Sequence, residues 1–242
     1  MTNNEDLIEK VREYVEIYMN KLDGSHDFNH IRRVVGLAHL ISSSITASTT
    51  TDSPTSTPTL DPTVITLGAM LHDVGDRKYL QEGQDPTTQV RDLLLSFGAS
   101  PSLAEKVQTI CLGVSWNSEM KDPAHVLKLI EEHPELAVVQ DADRLDAIGA
   151  IGIGRVFTYG GARTTRGMHS SVDMMDWKLF ALEETMKTLP GRRMAREATK
   201  RMRLFRDWWA EEVDVEEVGD LVLERVVNGV SSTDVTDRDD NE

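Results

Sequence analysis

A histidine and an aspartate stand side by side in this chain, His72-Asp73, at the end of an apolar run. A neutral imidazole and a carboxylate provide the nitrogen and oxygen ligands that many divalent metal ions take in proteins. Such a pair at the end of a buried helix would be costly to bury without a partner, and a cation is one such partner. The alternative is an exposed polar helix end at Gly75, which needs no metal.

Two distant segments contain matching ligands. His30 begins an apolar helical pattern with Ile31 and Val34, so its imidazole can face the interior. Far downstream, Asp143 lies in an acidic stretch that apolar residues surround. The sequence therefore predicts one divalent metal site with two imidazoles and two carboxylates: His30, His72, Asp73 and Asp143. This set suits Mn²⁺, Fe²⁺, Co²⁺ or Zn²⁺, and Mg²⁺ more weakly.

Three neighbours of these ligands are candidates for supporting roles. Asp146 follows Asp143 by three positions and would share its helix face, where it could orient a ligand. Asp141 is the second candidate for the ligand role and otherwise a supporting carboxylate, although on a helix it would point elsewhere. His26 precedes His30 by four positions and could contact substrate, unless it lies before the helix begins.

Helices must position these residues, because apolar residues return every three or four positions along most of the chain. Four residues that precede prolines predict helix starts: Asp61, Asp85, Ser100 and Asp122. Apolar periodicity predicts a first helix over 7–18, a second over 31–39, a late one over 179–189 and a final one over 191–209. No segment shows the sustained alternation of strands. The predicted fold class is therefore an all-α single domain.

Composition and charge narrow the class of protein. The 242 residues can form a substantial core and contain no apolar run long enough to cross a membrane. The single cysteine, Cys111, and the polar N-terminus predict an intracellular protein without disulfides, in the cytoplasm or also in the nucleus. The net charge of −15 disfavours duplex nucleic acid but leaves a small anionic substrate open. Assembly as a homodimer stays open.

The predicted domain spans residues 1–230, and two segments of the chain differ from the rest in composition. Residues 42–60 predict a flexible surface insertion, because thirteen Ser or Thr and two Pro fall between positions 42 and 59. Residues 231–242 are polar and acidic and predict a disordered tail.

Together these motifs resemble the HD superfamily of metal-dependent phosphohydrolases, in which His30, the His72-Asp73 pair and Asp143 match the metal-binding motifs. A closer likeness is to the small bacterial and fungal HD hydrolases of the YpgQ/YedJ type. It covers roughly residues 5–210 without the Ser/Thr-rich insertion. The strings that carry it are Ser25-His26-Asp27, Leu71–Lys78, Asp141–Ala150, Phe157–Gly161 and Gly191–Ala195.

The resemblance implies a helical bundle that uses Mn²⁺ to release pyrophosphate from nucleoside triphosphates. A nucleotide phosphomonoesterase with the same centre is the alternative enzyme, and a metal-stabilised binding or regulatory module is the alternative without turnover. HD enzymes with two or three metals have further histidines between the HD pair and the last aspartate. Here that interval contains only His125 and His133, neither in a metal motif, so we expect a single ion. His39 should point away from His30, half a helical turn off.

A phosphohydrolase also needs a proton acceptor and fixed positive charge. Asp76 is the candidate to accept a proton from the attacking water. Together with the ligand Asp73 it forms the predicted pair of catalytic carboxylates. A salt bridge from Asp76 to Arg77 or Lys78 is the alternative. The glycines and arginines of Tyr159–Arg166 predict a phosphate-binding loop. The predicted phosphate-binding residues are Arg77, Lys78, Arg163, Arg166 and Lys178, and either Trp116 or Tyr159 could stack on a base.

Overall fold

Helices make up all the regular structure in the described part of this computed structural model, which comprises residues 4–22, 24–52, 59–75 and 85–227. The predicted all-α fold is therefore confirmed. The helices are α1 Asn4–Met19, α2 Phe28–Asp52, α3 Pro62–Leu71, α4 Gln89–Ser96, α5 Pro101–Val114, α6 Trp116–Lys121, α7 Pro123–Glu132, α8 Glu135–Asp146, α9 Gly149–Arg163, α10 Met168–Met174, α11 Leu189–Val213 and α12 Val215–Val227. A π-helical turn, Met175–Leu179, and a 3₁₀ segment, Phe180–Thr185, lie between α10 and α11.

The core is built around α3, which packs against α1, α2, α5 and α8. This helix is apolar on nearly every side, as expected of a helix that neighbours surround. Seven of its ten residues are buried, among them Leu67 and Leu71. Helices α2 and α8, which contain His30 and Asp143, also pack against each other, and the His72-Asp73 pair follows α3 directly.

Three of the four predicted helix starts are confirmed. The side chains of Asp61, Ser100 and Asp122 accept hydrogen bonds from the first backbone N–H groups of α3, α5 and α7. The prediction at Asp85 is wrong: its carboxylate accepts from Thr87 N at 2.8 Å within a turn, and α4 begins only at Gln89.

Residues 42–52 are helical, so the prediction of a surface loop is wrong for this part of the Ser/Thr-rich segment. They continue α2, which ends at Asp52. Hydroxyl groups there donate to carbonyl oxygens one turn back, from Ser44 to Leu40 at 2.8 Å and from Thr46 to Ser42 at 3.0 Å. These bonds satisfy the hydroxyl groups of Ser44 and Thr46 while the backbone stays helical. Residues 53–58 lie outside the described ranges.

The late helix predicted over 179–189 is interrupted. The chain passes through the π-helical turn and the 3₁₀ segment, and α11 begins at Leu189. Long-range hydrogen bonds replace helical ones here, because Thr185 O accepts from Arg144 at 2.9 Å and Asp141 accepts from the backbone of Lys187 and Thr188. Periodicity alone cannot detect such competition.

The chain divides into two compact units, Met1–Met202 and Arg203–Glu242. The predicted metal ligands all lie in the first. In the second, the rings of Phe205 and Trp209 lie 6.1 Å apart on α11. Among the described helices none is long and apolar enough to cross a membrane. The predicted tail, residues 231–242, lies outside the described residues.

Candidate metal centre

His30 lies in the first turn of α2 and is fully buried. Asp27 precedes this turn and accepts the hydrogen bond of His30 N at 3.1 Å, which fixes where the helix begins. The imidazole Nδ1 lies 2.7 Å from Asp146 Oδ2, at the end of α8. Because the carboxylate accepts a hydrogen bond from Nδ1–H, the Nε2 atom of the neutral ring carries a free lone pair.

His72 and Asp73 lie in the turn that follows α3. His72 is the residue that ends the helix, and its Nδ1 donates to Ala69 O at 2.9 Å. In the neutral ring its Nε2 therefore also carries a free lone pair. The turn closes with Val74 N donating to Leu71 O at 2.9 Å. Gly75 follows with φ of +83°, a left-handed conformation that favours glycine. The helix end and the glycine together aim the pair inward.

The predicted ligands lie together. The Nε2 atoms of His30 and His72 are 3.2 Å apart, and Asp73 Oδ2 lies 3.3 Å and 3.5 Å from them. These three residues form a mutually close, buried group. Asp143, which is half-buried on α8, adds Oδ1 at 3.7 Å from His30 Nε2 and 3.5 Å from His72 Nε2.

The donor set fits a divalent cation. When both rings are neutral and their Nδ1 hydrogens are committed, neither facing Nε2 atom has a hydrogen to donate, and the carboxylates only accept. Asp73 Oδ2 is buried and has no hydrogen-bond partner in the described ranges. Two atoms bound to one cation at about 2.1 Å and a right angle apart are separated by about 3 Å, close to the spacings found here. A cluster made only of acceptors is costly to bury unless positive charge compensates it.

The carboxylates attract positive charge to this cluster. Burial opposes a charge on His72, but Asp73 and Asp143 outweigh it and raise the pKa of His72 to about 9. Burial would raise the pKa of Asp73, yet the facing imidazoles of His72 and His30 lower it well below its usual value. The pKa of Asp143 is lowered in the same way, against the effect of burial.

Asp146 binds three side chains, those of His30, Arg33 and Arg155. Its two oxygens accept from Arg33 Nε at 2.6 Å and Arg33 Nη2 at 3.0 Å, and Oδ2 also accepts from Arg155 Nη1 at 3.1 Å. Burial tends to raise the pKa of Asp146, but His30 and Arg33 lower it below its usual value. The carboxylate is therefore kept ionised, and it holds the His30 ring in one orientation as the sequence predicts for a supporting residue.

Beside the ligands lies a cavity of about 460 Å³, within the range of small-molecule sites. The residues of the metal cluster that line it are His72, Asp73 and Asp143. Polar, basic and aromatic side chains on its wall include His26, Trp116, Lys121, Arg155 and Lys178. A larger but more open cleft, about 640 Å³, contains Arg32 and Asp27 and none of the four predicted ligands. The smaller cavity is therefore the candidate substrate site, because predicted metal ligands line it.

Asp141 does not support the metal cluster, so this prediction is wrong. The residue is fully buried, and its Oδ1 accepts from Lys187 N at 2.7 Å. Its Oδ2 accepts from Thr188 N at 2.8 Å and Thr188 Oγ1 at 2.7 Å. Both oxygens thus bind the segment that enters α11. Two positions along a helix rotate a side chain by roughly 200°, which separates Asp141 from Asp143.

The predicted phosphate loop Tyr159–Arg166 is largely helical instead. Tyr159–Arg163 form the last turns of α9. A Cβ at Gly160 would lie 2.7 Å from Ser171 Oγ, so this glycine serves helix packing rather than anion binding. Arg163 is exposed, and Arg166 donates to Met174 Sδ at 2.8 Å and lies 5.9 Å from the Tyr159 ring centroid. None of these residues lines the 460 Å³ cavity.

Other predicted site residues do lie at the cavity. His26 is buried, with Nδ1 2.7 Å from Ser25 Oγ and its ring 6.0 Å from that of His30. Lys178 Nζ lies 5.4 Å from the centroid of the Trp116 ring. His39, as expected, takes no part in the cluster and bonds to Thr66 Oγ1 at 2.9 Å. Asp76, Arg77 and Lys78 lie outside the described residues.

Sequence reasoning missed two basic residues of this region. Arg155 lines the cavity, and it bonds to Ser25 O at 2.9 Å besides Asp146. The local sequence around Arg155 gave no signal for this position. Lys121 also lines the cavity, but its position in the short helix α6 gave no signal in the sequence.

Comparison with known proteins agrees with this geometry. The HD domain family matches residues 27–148, half of the chain. The uncharacterized protein YpgQ of Bacillus subtilis (strain 168) is 30% identical over 193 residues, which cover 78% of this chain and 85% of that protein. The crystal structure of Bacillus subtilis YpgQ in complex with ADP is similar with a TM-score of 0.66 at 27% identity, covering 86% of this chain and 96% of that chain.

A crystal structure of an HD-superfamily hydrolase from Bacillus thuringiensis is similar with a TM-score of 0.62 at 27% identity, covering 88% of this chain and 99% of that chain. The resemblance drawn from the motifs is thereby confirmed. All four predicted ligands fall within the matched residues 27–148. The chain therefore belongs to the HD domain family, and it is a metal-dependent phosphohydrolase.

Proposed function

We propose that this phosphohydrolase cleaves nucleoside triphosphates to the monophosphate and pyrophosphate. The observation that carries the proposal is that one cavity of about 460 Å³ contains the His72-Asp73 pair together with basic and aromatic side chains. A nucleotide needs these three things: a metal for its phosphates, fixed positive charge, and a flat ring for its base. YpgQ, the relative described above, has been crystallised with ADP, which supports a nucleotide as the ligand.

The proposed holders of the metal are His30, His72, Asp73 and Asp143, and the proposed ion is a single Mn²⁺, with Mg²⁺, Co²⁺, Fe²⁺ or Zn²⁺ as alternatives. When bound, a divalent ion supplies Lewis acidity to water and to the phosphate oxygens. Asp146 orients His30 through the Nδ1 hydrogen bond of 2.7 Å. The protein thus contributes a rigid set of acceptors.

Basic residues of the cavity would hold the phosphates. Lys121 and Lys178 bring positive charge to its wall. Arg155 is fixed by Asp146 and by Ser25 O, so its charge stays beside the cavity without reorganisation. His26 would contact the substrate next to His30. The exposed Arg163 and the engaged Arg166 are not part of this proposal.

Trp116 is the proposed base contact. Its Nε1 is buried and has no hydrogen-bond partner among the residues that the structure describes. Buried indole N–H groups usually find an acceptor, so a ligand atom is a reasonable one. Tyr159, the other candidate, does not line the cavity, and its ring lies 6.1 Å from that of His26.

The hydrolytic step forms a bond between a water oxygen and the α-phosphorus and breaks the bond from that phosphorus to the oxygen bridging to the β-phosphate. The displaced pyrophosphate leaves, and a carboxylate accepts the proton of the water. Asp76 is proposed for this role with Asp73 beside it, and Arg77 and Lys78 as further phosphate contacts. These assignments rest on sequence position, three residues and more after Asp73.

The test is product analysis. Purified full-length protein is incubated with Mn²⁺ and a panel of nucleoside triphosphates, diphosphates and monophosphates, and the products are separated by anion-exchange chromatography. We expect equal amounts of monophosphate and pyrophosphate from a triphosphate. Asp73→Ala should abolish turnover, whereas Asp92→Ala, an exposed aspartate on α4, should leave it unchanged.

Two outcomes would contradict the proposal. Orthophosphate released from a monophosphate, with triphosphates untouched, would identify a phosphomonoesterase instead. Equal inertness of wild type and Asp73→Ala on the whole panel would remove nucleotides as substrates.

A further inference from the structure

One wall of the cavity is a helix too short to be stable by itself. Helix α6 has six residues, none of them buried. Isolated helices of this length are not stable in water. Yet four of its residues line the cavity: Trp116, Asn117, Ser118 and Lys121. Some contact outside the helix must therefore hold this wall in place.

Besides packing against α5 and α7, this helix is held by ion pairs of Glu119. Its Oε1 accepts from Lys187 Nζ at 2.6 Å, and its Oε2 accepts from Arg144 Nη2. The side chains of Glu119 and Arg144 are 13% and 2% exposed, so this ion pair is well shielded from water. Glu119 is absent from the lining of the cavity that its helix neighbours form.

The two cations come from separate parts of the fold. Arg144 follows Asp143 on α8 and also donates through Nη1 to Thr185 O at 2.9 Å. Lys187 Nζ donates to Thr185 O at 2.6 Å as well. Both cations are thus fixed independently of Glu119. The carboxylate of α6 is attached to the helix that contains a predicted metal ligand and to the segment that leads into α11.

We propose that Glu119 is a positioning residue: through Arg144 and Lys187 it holds α6, and with it Trp116 and Lys121, against the metal cluster. The role in nucleotide binding rests on the proposed function, whereas the anchoring of α6 does not. Loss of the carboxylate leaves the buried Arg144 without its counter-ion and removes the only side-chain hydrogen bonds that the structure describes between α6 and these two cations.

The anchoring is tested by amide hydrogen exchange, read by mass spectrometry on the full-length protein with Mn²⁺. Glu119→Gln should raise the amide exchange rates of α6 by about tenfold relative to wild type, because opening of this helix no longer breaks charge-assisted hydrogen bonds. Glu135→Gln is the matched control. Glu135 is also buried and paired, with Lys106 at 2.8 Å, but it lies at the start of α8 and not at the cavity.

The control should leave α6 exchange unchanged. Equal exchange of α6 in wild type and Glu119→Gln, or equal acceleration in both variants, would overturn the proposal. If Glu119→Gln fails to fold, Lys187→Met removes one of the two anchoring cations and leaves the Arg144 pair, and it should show a smaller acceleration confined to the same helix.

The effect on the site is tested by kinetics with a triphosphate. Glu119→Gln should raise KM on the order of tenfold with kcat nearly unchanged, because Trp116 and Lys121 contact substrate while the metal ligands stay in place. Glu119→Asp, which keeps the charge, should recover part of the loss. A tenfold fall in kcat with unchanged KM would overturn the positioning role. Inertness of the wild type would instead refute the proposed function, and the exchange result would still decide the anchoring of α6.

Discussion

His30 Nδ1 lies 2.7 Å from Asp146 Oδ2, and this hydrogen bond determines which nitrogen of His30 faces Asp73. The same carboxylate binds Arg33 and Arg155, so His30 is held by a residue that is itself held on two further sides. A ligand whose orientation is set before the ion arrives loses little freedom on binding it.

Asp146→Asn should weaken Mn²⁺ binding by about 10- to 100-fold, since an amide is a poorer acceptor for His30 and places a donor towards the two arginines. Isothermal titration of the full-length protein measures the affinity. Asp141→Asn is the matched control, because Asp141 is an equally buried aspartate of α8 that binds Lys187 and Thr188 instead. It should lower stability while the metal affinity is retained. Equal affinity in wild type and Asp146→Asn would show that this contact does not tune the site.

Metal binding should stabilise the folded chain, because the acceptor cluster exists only in the folded state. At about 100 times the dissociation constant the expected gain is about 2.7 kcal/mol, and a chelator should reverse it. Thermal unfolding followed by circular dichroism measures the shift in Tm. His72→Ala, which lacks one acceptor of the group, should show little shift. A wild-type Tm that does not rise with Mn²⁺, Co²⁺ or Zn²⁺ would contradict a metal centre here.

Gly75→Ala should destabilise the protein by about 1–2 kcal/mol, because an L side chain strains the left-handed conformation at φ of +83°. The new Cβ would also lie 3.0 Å from Gln89 Oε1. Urea unfolding measures the change in free energy. Gly36→Ala is the control: it lies in α2 with open space around it, and alanine there should stabilise by up to about 1 kcal/mol. Equal stability of the two variants would contradict the conformational argument.

Acid should weaken the Glu119 ion pair. Burial alone would raise the pKa of Glu119, but the hydrogen bonds from Lys187 and Arg144 lower it below its usual value. The pair therefore contributes stability that is fully present above the unfolded-state pKa of about 4.3 and is lost as the pH falls through the lower folded-state pKa. The difference in unfolding free energy between wild type and Glu119→Gln should shrink over that window. A difference that is constant from neutral pH into the acid range would refute this linkage.

Lys178→Met should raise KM for a triphosphate about tenfold, the usual loss for one charge-assisted contact to phosphate. Arg163→Met should leave KM within about twofold, because Arg163 is exposed at the end of α9 and does not line the cavity. Steady-state kinetics at saturating Mn²⁺ compares them. A larger effect at Arg163 than at Lys178 would restore the phosphate loop that the glycines suggested.

The sequence was informative where function depends on residues at helix ends. The short motifs around His30, the His72-Asp73 pair and Asp143 predicted that these residues lie close together, and they do. Asp146 followed from its spacing to Asp143. The caps at Asp61, Ser100 and Asp122 were equally local, since each oxygen binds N–H groups within three residues.

The errors came from partners far away in the chain. Asp141 is bound by Lys187, 46 residues later, and no local pattern reveals that choice. Gly160 resembles a phosphate-loop glycine until Ser171 of α10 packs against it. Serines and threonines after position 41 looked incompatible with a helix, but the hydroxyls of Ser44 and Thr46 donate to backbone carbonyls one turn back.

Arg155 and Lys178 line the cavity from positions beyond residue 148, where the match to the HD domain ends. Residues on both sides of Ile148 thus line one cavity, with His72, Asp73 and Asp143 before it and Arg155 and Lys178 after it. Because Arg155 also binds Asp146, which holds His30, an exchange of the residues after Ile148 that keeps Arg155 should alter the preferred substrate while the orientation of His30 is retained.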